Sequence, residues 1–230
     1  HFLVSSNIRN NIKKVKKVKK KFIDQTNIII NSLKFKLTND QVKAINEINI
    51  DLKSNSKMFR LLQGDVGSGK TIVSIIAAIN TINAGYQVCM MVPTEILAKQ
   101  HYNFIRQNFE GKYEIEILTG KTEYKKRKEI LDKLKNDKID FIIGTHSLFQ
   151  TKVNYYNLGL IIIDEQHKFG VKQRKNLSEK GGNNSDVLVM SATPIPRTMV
   201  MTIYGDMDVT LIKEKPKNRK QVITYSKLED

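Results

Sequence analysis

The chain has 230 residues, 40% of them apolar, which is enough for one large domain or two small ones with a complete core. Its 39 Lys and Arg residues outnumber 23 Asp and Glu residues, and the net charge of +16 favours a polyanionic partner, nucleic acid first and an acidic membrane surface second. The single cysteine, Cys89, excludes an internal disulfide, and no apolar stretch approaches the roughly 18 residues that span a bilayer. We therefore expect a cytosolic protein without a membrane segment.

The basic residues are concentrated near the N-terminus, where residues 1–34 carry nine basic side chains and one acid, Asp24. Within residues 7–21, apolar residues recur on one side of a helix and lysines cover the other, which predicts a basic amphipathic helix. This helix could be an arm that contacts phosphates or a solvated connection to a preceding domain, and we favour the connection. We assign residues 1–34 to a helical linker and residues 35–230 to one lobe.

A second helix is predicted directly after this linker. Thr38 is a suitable N-cap, and the apolar positions of the helix run from Val42 to Leu52. Gln41 lies in the first turn, where its amide could read an adenine edge through paired hydrogen bonds, as Asn and Gln do on adenine in nucleic acids.

A glycine-rich stretch between an apolar strand and an apolar helix has the pattern of a phosphate-binding loop. The loop comprises Gly64, Asp65, Val66, Gly67, Ser68, Gly69, Lys70 and Thr71. The glycines allow successive backbone N–H groups to turn inward around an anion, and the helix N-terminus adds partial positive charge. Lys70 can reach the β- and γ-phosphates and the Thr71 hydroxyl can hold Mg²⁺, so the sequence predicts a nucleoside triphosphate site.

Beyond this loop, short apolar strands alternate with helical patterns, and a polar cluster follows nearly every strand. The strands predicted in the chain are residues 58–62, 86–92, 113–118, 141–143, 158–163 and 187–190. Apolar strands between helices predict an α/β fold with a mostly parallel sheet and helices on both faces. In such a sheet the carboxyl ends of the strands line the ligand crevice.

The strand 158–163 ends in two carboxylates, which narrow the choice of enzyme class. Asp164 is placed to hold the Mg²⁺ that Thr71 also contacts, and Glu165 is placed to orient an attacking water or accept its proton. His167 is a candidate relay to a neighbouring site that includes the Ser191 hydroxyl. Histidine coordination of a metal is not expected, because the four histidines lack ligand spacing.

These motifs, in this order, resemble the first motor lobe of superfamily 2 helicases, a RecA-like P-loop NTPase fold. The longer strings D-E-Q-H-K-F-G at residues 164–170 and A-T-P-I-P-R-T at residues 192–198 are similar to the RecG family of bacterial branch-migration helicases. The resemblance spans about residues 35–224. It departs from the family at Lys168, where Arg is usual, and at Ser191, where Thr is commoner.

The resemblance implies an ATP-driven translocase in the bacterial cytoplasm, a monomer that remodels stalled forks and Holliday junctions in DNA repair and recombination. Lys70, Thr71, Asp164 and Glu165 would carry hydrolysis and Gln41 would select adenine. The residues implied along the double-stranded DNA path are Thr94, Thr119, Gly120, Thr145 and His146, with Arg197 as a further phosphate or coupling contact. Such contacts hold position without reading sequence.

The wedge domain and second motor lobe of this family have no counterpart in the 230 residues, so we expect a piece of a longer protein with weak ATPase activity of its own. Three alternatives remain open from the sequence. One is a lobe of a transcription-repair coupling factor, which usually has Phe where this chain has Ser68. The others are a nucleic-acid-binding module with an inert nucleotide site and a small-molecule kinase.

Overall fold

The computed structural model describes residues 25–109, 111–150, 152–164, 185–193 and 207–216. Within them, seven strands form one sheet in the order β3-β4-β2-β5-β6-β1-β7, and all six pairings between neighbours are parallel. The strands are β1 Phe59–Gly64, β2 Gln87–Met91, β3 Ile115–Leu118, β4 Phe141–Gly144, β5 Leu158–Ile163, β6 Asp186–Ser191 and β7 Asp208–Ile212. The six predicted strands and the parallel sheet are confirmed, whereas β7 was not predicted.

The described residues also include five α-helices, two of which precede β1, and one short 3₁₀ helix, His146–Phe149. The α-helices are α1 Thr26–Ser32, α2 Asn39–Lys53, α3 Lys70–Asn83, α4 Glu95–Phe109 and α5 Tyr124–Lys135. The helices after the phosphate loop and after β2 and β3 agree with the sequence patterns, but α1 and the 3₁₀ helix were not predicted. The predicted basic helix at residues 7–21 lies outside the described residues.

The sheet is covered on both faces, as predicted, because alternate residues of each strand point to opposite sides. In β2, Val88 and Met90 pack in the cluster that includes helices α2, α3 and α4. Cys89 and Met91 pack in the opposite cluster, which includes α5. Burial raises the pKa of the Cys89 thiol to about 12, so this cysteine is an inert core residue.

Helix α2 begins with a reciprocal cap. The Thr38 hydroxyl accepts from the Gln41 backbone N–H, and the Gln41 side-chain oxygen accepts from the Thr38 N–H at 2.9 Å. The predicted N-cap is therefore confirmed. The assignment of Val42 to the apolar face of the helix was wrong, because Val42 is 36% exposed while Ile45, Ile48 and Leu52 are buried.

Helix α1 is fixed to the lobe by a buried polar cluster. The Asn80 side chain on α3 accepts from the Gln25 N–H and donates to the Thr26 hydroxyl and to the Asn49 side-chain oxygen. Ile29 packs in the same apolar cluster as α2 and α3. Residues 25–32 therefore belong to the packed body, although the division of the chain at residue 34 stays a prediction. In the described part of the chain, no helix is long and apolar enough to cross a membrane.

Candidate nucleotide and nucleic-acid site

The phosphate loop joins β1 to α3 through two glycines in the left-handed region. Gly67 has φ +79° and Gly69 has φ +86°, conformations that side chains disfavour. Gly69 is the N-cap of α3, and a Cβ there would overlap the side-chain nitrogen of Gln41. Glycine is therefore required at this position both by the backbone and by the close approach of helix α2.

Lys70 is the first residue of α3, and its side chain folds back along the loop. Its Nζ donates to the Gly64 carbonyl at 2.6 Å and to the Asp65 carbonyl at 2.9 Å. These contacts hold the ammonium group within the loop, where the sequence predicted the phosphates. Thr71 follows in the first turn of α3 and is half-buried. Val66, at the tip, is 69% exposed.

Gln41 lies against the phosphate loop rather than apart from it. Its side-chain nitrogen donates to the Ser68 carbonyl at 2.8 Å, and the residue is buried. The Ser68 hydroxyl is itself buried against Gly64 without a hydrogen-bond partner in the described residues. Helix α2 and the loop are thus held together by one side-chain amide, and adenine recognition by Gln41 stays a prediction.

A segment after β7 is joined to the start of α2. Asp40 Oδ2 accepts from the backbone N–H groups of Lys213 and Glu214, and Glu214 in turn accepts from the N–H of Asn39. The N–H groups of Glu214 and Lys213 hold the pKa of Asp40 below its usual value. Lys215 forms an ion pair at 3.1 Å with Asp65 of the phosphate loop.

Asp164 lies at the carboxyl end of β5. Its backbone N–H donates to the Met91 carbonyl at 2.8 Å, which continues the β2–β5 pairing by one residue. Its carboxylate Oδ2 lies 3.1 Å from Nε2 of His101 on α4, and the two side chains are 15% and 10% exposed. The sequence did not point to His101, because the contact joins residues 63 positions apart and His101 lies in none of the motifs identified in the sequence.

The phosphate loop and Asp164 lie at the same edge of the sheet. Strand β6 pairs with β1 on one side and with β5 on the other. Two strand spacings separate β1 from β5, which is about 10 Å. In between, at the end of β6, Ser191 bonds to Thr193, and the Thr193 carbonyl accepts from the Gln63 side chain at 3.2 Å. We call strands β5, β6, β1 and β7 the β1 half of the sheet.

The remaining strands, β3, β4 and β2, form the β2 half, and the residues predicted to contact DNA follow them at the same carboxyl edge. Thr94 caps α4 by accepting from the Leu97 N–H at 3.2 Å. The Thr119 hydroxyl accepts from the Lys121 N–H at 3.3 Å. Glu95 also accepts from the Lys121 N–H, at 3.3 Å, and therefore joins the start of α4 to the loop that contains Gly120.

Strands β3 and β4 are packed so closely at this edge that their loops are neighbours. A Cβ at Gly144 would overlap the Leu118 carbonyl, which also accepts from the Ser147 hydroxyl at 2.8 Å. Thr145 and His146, directly after β4, are therefore next to Thr119 and Gly120, directly after β3. The structure thus brings together the predicted DNA residues of three strands. Glu165, His167 and Arg197 lie outside the described residues.

This arrangement of loops on a parallel sheet agrees with a known family. The family description "DEAD/DEAH box helicase" matches residues 38–202. The chain belongs to this helicase family. The family match includes the phosphate loop, the Asp164 strand and every described residue predicted to contact DNA.

Comparison with individual helicases confirms the resemblance to RecG. The ATP-dependent DNA helicase RecG of Staphylococcus aureus strain NCTC 8325 is 51% identical over 202 residues, covering 88% of this chain and 29% of that protein. RecG of Streptococcus pneumoniae serotype 4 is 52% identical over 193 residues, covering 84% of the chain and 28% of that protein.

A solved structure of RecG bound to a three-way DNA junction superposes with a TM-score of 0.80 at 43% identity, covering 96% of the chain and 30% of that protein. This match confirms the RecA-like fold of the lobe. The chain therefore spans less than a third of the length of the relatives that it matches.

Proposed function

We propose that the chain is the first, ATP-binding motor lobe of a RecG-type DNA helicase. The observation that carries the proposal is the position of the phosphate loop and Asp164, which lie at one edge of the sheet with a single strand between them. The 51% identity to a RecG helicase supports the same conclusion.

In the nucleotide site, the loop N–H groups and Lys70 would bind the phosphates. Thr71 and Asp164 supply a hydroxyl and a carboxylate, the oxygen donors that Mg²⁺ prefers, so the described residues fit this ion. When bound, Mg²⁺ neutralises charge on the phosphate oxygens. Glu165 would orient the attacking water and accept its proton, and His167 would transmit the state of the site to Ser191.

The base side of the site would be formed by α2. Gln41 donates one hydrogen of its side-chain nitrogen to Ser68 and keeps a second hydrogen, and its oxygen keeps a second lone pair. These two groups match the paired donor and acceptor that an adenine edge requires. The same amide would therefore contact both the adenine base and the phosphate loop, and would couple base binding to the loop.

The nucleic-acid path would run along the carboxyl edge of the β2 half. Thr94 and Thr119 accept hydrogen bonds from the backbone, but each hydroxyl keeps its own hydrogen for a phosphate oxygen. Gly120 and His146 are exposed at this edge, as backbone and side-chain contacts to phosphate would require. Arg197 would add a further cation. Contacts of this kind are sequence-independent, which suits a translocase.

The proposed partner is branched double-stranded DNA, at stalled forks and Holliday junctions, in the bacterial cytoplasm. The relatives are more than three times as long as the matched region, so the wedge and second motor lobe would be supplied by other parts of a longer protein. An arginine finger from that second lobe would add roughly 10³–10⁵ in rate, as in related phosphoryl-transfer sites. The chain alone would hydrolyse ATP slowly, and the protein would act as a monomer.

The test is the ATPase rate of the full-length protein on forked, four-way and linear duplex DNA of equal length, with Glu165→Gln as the inactive control. We expect the branched substrates to give the highest rates and Glu165→Gln to abolish turnover on all of them. Equal rates on linear and branched DNA would contradict the RecG assignment. An unchanged rate in Glu165→Gln would contradict the enzymatic function and favour an inert nucleotide site.

One alternative within the helicases can be separated directly. A transcription-repair coupling factor would bind RNA polymerase, so the full-length protein should be tested for retention on immobilised polymerase. Retention would favour that alternative. The sequence already argues against it, because this chain has Ser68 where transcription-repair coupling factors usually have Phe.

A further inference from the structure

The carboxylate of Asp164 is held by a side chain outside the motifs identified in the sequence. His101 comes from the middle of α4, and its Nε2 lies 3.1 Å from Asp164 Oδ2. For the carboxylate to accept this hydrogen bond, Nε2 must carry the hydrogen. Both side chains are largely buried. The bond is therefore stronger than a solvent-exposed ion pair, which contributes little to stability.

The main chain and the side chain of Asp164 are therefore fixed by the same structural unit. Met91, the last residue of β2, holds the Asp164 N–H, and α4, which follows β2 directly, holds its carboxylate. Oδ2 is engaged by the ring, and among the described residues Oδ1 has no hydrogen-bond partner, which leaves it for a cation. Partners that hydrogen-bond a metal-ligating carboxylate set its orientation, and their loss typically costs 10- to 100-fold in metal affinity or activity.

Helix α4 also begins at the edge predicted to face DNA. Thr94 caps the helix and Glu95 joins it to the loop after β3, whereas His101 is seven residues further along, about 10 Å at the rise of a helix. A displacement of α4 by DNA would therefore reach the Asp164 carboxylate through one hydrogen bond. The arrangement gives His101 a reason to be polar in a helix that otherwise buries Ala98, Ile105 and Phe109.

We propose that His101 is the positioning residue for Asp164 as ligand of the nucleotide's magnesium ion. The inference rests on the proposed function, since it requires ATP at the phosphate loop. It assigns His101 no contact with the nucleotide. A histidine that merely filled space on α4 would affect folding and leave the magnesium dependence of ATP binding unchanged.

The test measures ATP binding to the full-length protein by titration calorimetry, once in excess magnesium chloride and once in EDTA. The ratio of the two dissociation constants is the magnesium-dependent gain in affinity. We expect His101→Phe, which keeps a ring but has no donor, to reduce this gain about tenfold. His101→Gln, which keeps an N–H donor, should retain most of it. Gln107→Ala, an exposed site on the same helix, serves as the control.

The outcomes separate the possible roles of His101. An unchanged gain in His101→Phe would overturn the proposal, as would equal losses in His101→Phe and His101→Gln, or an equal loss in magnesium and in EDTA. If the Phe variant does not fold, as judged by its melting curve, His101→Ala gives the same measurement with a smaller side chain. Failure of the proposed function is distinct, because the wild-type chain itself would then show no magnesium-dependent binding of ATP.

Discussion

The two halves of the sheet hold polar residues at the same edge but use them differently. In the β1 half, side chains donate hydrogen bonds to backbone carbonyls of other segments: Gln41 to that of Ser68, and Gln63 to that of Thr193. In the β2 half, Thr94 and Thr119 instead stabilise their own turns. The difference teaches that the residues around the phosphate loop are coupled to other elements through their own side chains, whereas the predicted DNA residues Thr94 and Thr119 are fixed within their own turns.

The largest effect is expected from Lys70→Ala. This change removes the lysine ammonium group from the phosphate loop and leaves the β2 half of the sheet unchanged. We expect the DNA-stimulated ATPase rate of the full-length protein to fall by about 10²–10³, as for loss of a preorganised group that stabilises transition-state charge. DNA binding without nucleotide should not change, because the β2 half is untouched. A parallel loss of nucleotide-free DNA binding, measured by fluorescence anisotropy, would show that the halves are not separable.

A smaller effect should come from Gly69→Ala, with Gly85→Ala as its matched control. Both glycines have φ near +86°, but a Cβ at Gly69 overlaps the Gln41 amide, whereas at Gly85 nothing lies within 4 Å. We expect each variant to lose about 1 kcal/mol or more of unfolding free energy from the backbone alone.

The contact with Gln41 should set the two glycine variants apart. Gly69→Ala alone should lose further stability in urea denaturation and weaken ATP binding. Equal results for the two variants would mean that the approach of α2 to the loop carries no function.

In the β2 half, capping and DNA contact can be separated at Thr94. Thr94→Asn and Thr94→Asp both keep an N-cap for α4, so both should retain its stability. Only the aspartate places a negative charge beside the predicted phosphate path. We expect Thr94→Asp to weaken DNA binding about tenfold relative to Thr94→Asn at low salt, and the difference should shrink as salt is added. Equal affinities would remove Thr94 from the DNA path.

The smallest effects concern two carboxylates with opposite pKa shifts, one beside each half. The pKa of Asp40 is lowered by the N–H groups of Glu214 and Lys213, whereas that of Asp137 is raised by burial and by Asp140. For Asp40, stability is present above the usual pKa of 3.8 and is lost as the pH falls through the lower folded value. For Asp137, stability is present below 3.8 and is lost as the pH rises through the higher folded value.

Replacing these carboxylates by amides should therefore act in opposite directions at neutral pH. Asp40→Asn should lower the unfolding free energy slightly, and this loss should shrink below pH 3.8 and vanish once the pH has fallen through the lower folded pKa of Asp40. Asp137→Asn should raise it slightly, helped by the left-handed backbone at this position, which Asn tolerates. Urea denaturation of both variants, from neutral pH to below the folded pKa of Asp40, measures the two changes in unfolding free energy. Changes of the same sign at neutral pH would contradict the assigned directions of the pKa shifts.

Local patterns were sufficient for most of the fold. The six apolar strands and the helix cap at Thr38 follow from hydrophobic period and cap chemistry, which depend on neighbouring residues only. Strand β7 is short and half-exposed, with the burial pattern exposed, intermediate, buried, exposed, buried, and it is held by pairing with β1. Helix α1 has seven residues and depends on the buried Asn80 cluster. Neither element has a strong pattern of its own.

The site, like the fold, was predictable from the sequence only where it depends on neighbouring residues. The phosphate loop and Asp164 are motifs in continuous sequence, so their positions at strand ends could be expected. The contacts that orient them could not, because they join distant residues: His101 with Asp164, and Gln63 with Thr193. Gln41 was singled out for a possible base contact, but its bond to Ser68 depends on how α2 packs against the loop, which no spacing in the sequence specifies.

The placement of β1 has a consequence for the order in which the protein is made. Both neighbours of this strand, β6 and β7, come from the last quarter of the chain: Phe59 pairs with Val187, and Arg60 with Asp208. A nascent chain that stops before residue 186 contains the entire phosphate loop but neither strand that flanks it. The ribosome must therefore complete β6 and β7 before the loop has its support, whereas β2, β3 and β4 can assemble earlier.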